Sequence, residues 1–123
     1  MIPRVKNMDA GGLLVKCNKV SEKEFKYLVE DSEGEVLFTS KPLISSANLC
    51  NFLGVCHAIS ILEDGIHEPL IHTNNMTALW WVVKKHVNTV IEDEEMLEYI
   101  NDSINYLNDL EMEYECLHYS WNK

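Results

Sequence analysis

No apolar run in this chain approaches the roughly 20 residues of a membrane span. The first residues, Met1-Ile2-Pro3-Arg4-Val5-Lys6, lead into no signal-type apolar core. Both absences lead to the expectation of a cytoplasmic protein without a membrane partner. No C-x-x-C pair occurs among Cys17, Cys50, Cys56 and Cys116, and their spacing does not match the common zinc patterns. Without a secretion signal they read as reduced thiols, mostly in the core. Phosphate loops, H-E-x-x-H and nucleophile–base pairs are also missing, so no cofactor is expected. With no repeats, linkers or low-complexity tracts, 1–123 reads as one domain whose residues 1–11 are a candidate flexible segment.

What remains is enough to fold. The chain is 46% hydrophobic over 123 residues, and its three Trp and five Tyr lie inside patterned segments. A chain of this length buries roughly two thirds of its unfolded surface, enough for one core. Charge is uneven. Residues 1–90 carry ten acids and nine bases, and residues 91–123 carry ten acids against Lys123 alone. The ten are Glu92, Asp93, Glu94, Glu95, Glu98, Asp102, Asp109, Glu111, Glu113 and Glu115. Such a field repels nucleic-acid phosphates. It reads either as a solvated helix face or as a surface that docks a basic protein partner.

Residues 12–20, 24–31 and 35–40 have strand patterns, with Phe25, Tyr27 and Val29 facing one way and Ser32-Glu33-Gly34-Glu35 as a turn. Ser45 or Ser46 caps a helix reaching about Glu63, whose apolar face is Leu49, Phe52, Leu53, Cys56, Ile59, Ser60 and Leu62. Pro69–Thr73 is a short strand, and Asn74 or Asn75 caps a second helix that fades at His86. Trp80 and Trp81 are adjacent there, so one is expected in the core and the other exposed. Asp93 caps a third helix over Glu94–Asp109, with Leu97, Ile100, Ile104 and Leu107 on one stripe. Residues 113–119 read as a last strand. His57 and His72 read as hydrogen-bonded structural residues, and Asn51 as a polar helix residue open to water. The order βββαβααβ predicts an α/β (mixed α+β) fold, a five-stranded mixed sheet flanked by helices.

That order, together with Asn48-Leu49-Cys50-Asn51-Phe52-Leu53-Gly54-Val55-Cys56-His57-Ala58, with Leu70–Thr89 and with Met96–Leu107, resembles the ribonuclease H family, especially its short Bacteroidetes-type bacterial members. The resemblance implies metal-dependent cleavage of RNA in an RNA–DNA hybrid, with four carboxylates holding two magnesium ions. It places the helix carboxylate on Asn51, the strand-end Asp on Asn74 and the first-strand Asp near Lys16. The last Asp would follow the final strand, beyond Lys123. The resemblance therefore implies a degenerate, truncated and inactive relative with no metal site. The expected function is that of a protein-binding module, as in an acidic viral or mobile-element inhibitor that fills a basic site of a host nucleic-acid machine. A diverged nuclease rebuilt around Asp9, Glu30 or Asp31, or a dimerising subunit with an exposed apolar patch, are the alternatives.

Overall fold

The computed structural model describes residues 4–5, 11–110 and 117–120. Gly11 and Gly12 take φ of 84° and 97° and turn the chain into its first long strand. That strand is β2 (Leu13–Lys19), preceded by a two-residue β1 (Arg4–Val5). It pairs antiparallel with β3 (Glu24–Glu30), setting Val15 against Val29 and Cys17 against Tyr27. Asp31 organises the next turn, where its Oδ1 accepts from the Glu33 and Glu35 N–H groups at 2.9 Å. The chain returns as β4 (Val36–Thr39) against β3, and β5 (Leu43–Ile44) pairs with the start of β3.

Ser46 begins α1 (Ala47–Leu62) by accepting the Leu49 N–H on its side chain. The sequence pattern predicts one apolar face for this helix. Instead Leu49 through Cys56 are all buried, while Ser60 is exposed. The physical reason is crowding: β2 and β3 pack on one side of α1, and two further helices pack beside it. Gly54 sets the closeness of that approach. A Cβ there would lie 2.6 Å from Val15 Cγ1.

The chain then forms β6 (Ile71–Thr73), parallel to β2 with Leu13 opposite Ile71. Asn75 caps α2 (Met76–Lys84) by accepting the Ala78 N–H at 2.8 Å, and Lys85 ends it with φ 55°. Trp81 meets Phe52 edge-on, with ring centroids 6.2 Å apart, and Trp80 remains 40% exposed. Asp93 caps α3 (Glu94–Asp109) through the Met96 N–H. The buried stripe of α3 starts at Met96 and continues through Ile100 to Leu107. Leu97, expected in that stripe, is 40% exposed. Last comes β7 (Leu117–Ser120), parallel to β6, with β1 parallel to β7 at the edge.

Strands run in the order β1-β7-β6-β2-β3-β4 in one mixed sheet. The five longer strands and three helices follow the order expected from sequence. The additions β1 and β5 have two residues each, too short to leave a periodic signal. No described helix is long and apolar enough to cross a membrane.

Candidate functional site

Parallel strands β2 and β6 end at different heights. β6 stops at Thr73, where the chain turns into α2, and β2 runs on to Lys19. Crevices outside the carboxyl ends of parallel strands are where sheets of this kind bind ligands. Here the crevice is a hollow of about 160 Å³ lined by Val15, Lys16, Cys17, Asn18 and Asn74.

Lys16 and Asn74 therefore meet at one site, and Asn51 lies behind them. Asn51 does not face water, being 4% exposed. Its Nδ2 donates to the Ala47 carbonyl at 2.8 Å, and its Oδ1 accepts from the buried Thr73 hydroxyl at 3.1 Å. Both halves of the amide are used: the nitrogen bonds within α1, and the oxygen ties α1 to the end of β6. Asn74 is exposed; the cap of α2 is its neighbour Asn75, whose side-chain amide also donates to Asn48 at 2.9 Å. Strand alternation turns Lys16 away from α1. Its Nζ lies 3.2 Å from Glu30 Oε1. The β2 side chain that meets α1 at this level is Cys17, one residue along. The Cys50 thiol hydrogen-bonds to Cys17, which holds Cys17 below the ordinary thiol range and pushes Cys50 up. Cys17, Cys50 and Cys56 are all free thiols, as expected, and Cys116 lies outside the described residues.

Magnesium takes hard oxygen ligands, usually with one or two carboxylates. The described lining of the crevice offers an ammonium, a thiol and amides, and no carboxylate. Glu30 is paired with Lys16, and the Oδ1 of Asp31 holds its own turn. Asp9 lies outside the described residues. Among the described residues no three His, Cys, Asp or Glu side chains converge to hold a metal. The described donors at the crevice are not the oxygen set that two magnesium ions take.

The chain has a ribonuclease H-like fold: three antiparallel strands, a helix, a strand parallel to the first, two helices and a final parallel strand. No family model matches the sequence, and no curated protein matches it. Solved structures that match include the N-terminal ribonuclease H domain of rv2228c from Mycobacterium tuberculosis, fused to maltose binding protein. It is 7% identical with a TM-score of 0.43, over 88% of this chain and 78% of that one. Ribonuclease H1 from the halophilic archaeon Halobacterium salinarum NRC-1 is 6% identical with a TM-score of 0.44, over 88% and 80%. At such identities and TM-scores the likeness carries no statement about activity, substrate or partner.

Seven of the ten C-terminal acids fall within the described residues; Glu111, Glu113 and Glu115 do not. Glu92, Glu94, Glu95, Glu98, Asp102 and Asp109 are exposed, and Asp93 is the half-buried cap. At ~100° per residue, Glu94, Glu98, Asp102 and Asp109 share an arc of about 80°, opposite the buried Met96, Ile100 and Leu107. Only Glu95 of these acids has an ion pair among the described residues, with Lys41 Nζ at 2.7 Å. Lys84 and Lys85, candidate partners by sequence, do not reach the stripe; Lys84 Nζ sits 6.0 Å over the Trp80 ring.

Beside that stripe lies a larger cleft of about 410 Å³, between α1, α3 and the β3–β4 hairpin. Tyr27, Phe38 and His57 make one wall, with Phe38 and His57 ring centroids 4.0 Å apart. Tyr99, Asp102 and Tyr106 line it from α3. Tyr27 Oη and His57 Nδ1 are hydrogen-bonded at 2.8 Å. Burial lowers the His57 pKa and raises that of Tyr27, so both are neutral at pH 7. His72 is hydrogen-bonded as well, its Nε2 lying 2.9 Å from the Gly11 carbonyl. The cleft is not apparent from the sequence as a site. Its one local trace is Tyr99, Asp102 and Tyr106, spaced to share a flank of α3.

Proposed function

We propose that this protein is a catalytically inactive ribonuclease H-like domain that works by binding a protein partner with a basic surface. The observation that carries the reading is the acid stripe of α3: Glu94, Glu98, Asp102 and Asp109 on one exposed side, without ion pairs among the described residues. Such a face repels nucleic-acid phosphate and draws basic groups by steering. It suits an inhibitor, of viral or mobile-element origin and acting in the cytoplasm, that fills a nucleic-acid groove by charge mimicry. The donor set of the strand-end crevice supports the loss of cleavage chemistry. An ammonium about 4 Å from a divalent ion costs several kcal/mol at an effective dielectric near 20.

The test compares two variants of equal net charge against a fluorescent arginine-rich peptide. One carries Glu94→Lys, Glu98→Lys, Asp102→Lys and Asp109→Lys. The other carries Glu22→Lys, Glu33→Lys, Glu35→Lys and Glu68→Lys, all exposed positions elsewhere. The α3 variant is expected to bind roughly 100-fold more weakly than the unmodified protein, from about 0.7 kcal/mol at each of the reversed sites. The control is expected to lose no more than about a tenth of that, because field effects away from the contact are screened within ~8 Å at physiological salt. Equal losses in the two variants would reduce the stripe to bulk charge.

A further inference from the structure

We propose that the cleft between α1, α3 and the β3–β4 hairpin is a socket for one arginine side chain of the partner. This inference rests on the docking surface proposed above and names the group that anchors it. Four aromatic residues line the cleft: Tyr27, Phe38, Tyr99 and Tyr106. Their rings carry a negative face that attracts cations. Its volume, about 410 Å³, falls in the range of sites that hold a small organic group.

Charge decides between a cation and a neutral guest. Most of the polar groups around the cleft are already occupied. Tyr27 and His57 bond to each other, Ser40 Oγ accepts the Tyr27 N–H and donates to the Lys41 carbonyl, and Ser60 Oγ donates to the His57 carbonyl. Tyr99 Oη donates to Glu95 at 3.3 Å, and Tyr106 Oη donates to Glu63. Lys41, the one cation among the described lining residues, is neutralised by Glu95 at 2.7 Å. Asp102 alone among the lining carboxyl and ammonium groups has no ion pair with a described residue, and it belongs to the acid stripe. The uncompensated charge among the described lining residues is therefore negative, and it shares the cleft with four aromatic side chains.

Among biological cations, arginine fits both halves. Its guanidinium is planar, sheds water more readily than an ammonium, stacks on aromatic rings and meets a carboxylate through two parallel hydrogen bonds. A lysine would keep its hydration shell. The stripe and the socket are then one surface: Glu94, Glu98 and Asp109 steer a basic segment, and the cleft seats one of its side chains.

The experiment titrates Nα-acetylarginine amide into isotope-labelled protein and follows ring and backbone resonances by NMR. Shifts are expected to cluster on Tyr27, Phe38, His57, Tyr99 and Tyr106. The neutral citrulline analogue should give none, and Phe38→Ala and Asp102→Asn should each weaken binding roughly fivefold. Phe38 is 37% exposed at the edge of the sheet, so its truncation is tolerable to folding; thermal melting confirms the fold of each variant. Absent or scattered shifts at saturating arginine, or equal shifts with citrulline, overturn the socket. The two proposals fail separately. If single arginine binds in the cleft but reversal of Glu94, Glu98 and Asp109 alone, with Asp102 kept, leaves the peptide affinity unchanged, the socket stands and the docking stripe falls. If the peptide depends on the stripe and Phe38→Ala changes nothing, the stripe stands and the socket falls.

Discussion

Gly12→Ala is expected to lower the unfolding free energy by about 3 kcal/mol, the sum of backbone strain and overpacking. The backbone at Gly12 has φ 97°, a region that side chains rarely enter. A Cβ there would sit 2.4 Å from the Leu70 carbonyl oxygen and 2.7 Å from Leu70 Cβ. That carbonyl cannot retreat cheaply, because it accepts the Leu13 N–H at 2.8 Å where the pairing of β2 with β6 begins. Gly34→Ala is the control: φ is 88°, but nothing lies within 4 Å of the added Cβ. It is expected to cost about 1 kcal/mol, from conformation alone. Urea titrations followed by tryptophan fluorescence give both values. Equal losses would show that the contact with Leu70 is not a constraint.

Asn51→Asp is expected to cost about 3 kcal/mol at pH 7, because it removes a buried donor and buries a charge in its place. The Ala47 carbonyl loses the N–H it now accepts at 2.8 Å, and the new carboxylate faces that oxygen. The sign of the pH response follows. Burial raises the carboxyl pKa above its unfolded value of about 3.9. Between those two pKa values the folded state binds more protons than the unfolded state, so stability falls as pH rises through that window. The variant should therefore recover stability relative to the unmodified protein on going from pH 7 to about pH 4. Millimolar magnesium is expected to leave its melting temperature unchanged. Strong stabilisation by magnesium would mean that the crevice lacks only one carboxylate, against the view that its donor set is unsuited to the ion.

The layered α/β architecture was legible because its elements are strongly patterned. Alternation at Phe25, Tyr27 and Val29, the caps Ser46 and Asp93, and the turn at Ser32–Glu35 all appear where the sequence places them. Two helix faces were misread for one reason. α1 has neighbours on several sides, so no single stripe marks its core. On α3 the choice between Met96 and Leu97 depends on a rotation of one residue, which hydrophobicity does not resolve. At the site, Asn51 and Asn74 could be placed by their neighbours in sequence. Lys16 could not, since a one-residue step along a strand reverses the side chain and brings Cys17 to α1 instead. The aromatic cleft was the least legible part. Tyr27, Phe38 and His57 are brought together by strand pairing and helix docking across separations of 11 to 30 residues, and no local spacing records that.

The most direct test of the central claim is cleavage of a labelled RNA–DNA hybrid, with magnesium and then with manganese. The expected result is no cleavage above a protein-free control at any enzyme concentration, with the hybrid neither cut nor retained. Cleavage that copurifies with the protein, stops on chelation and disappears with Glu30→Gln would contradict it, and would assign the catalytic carboxylate to the residue that here is paired with Lys16.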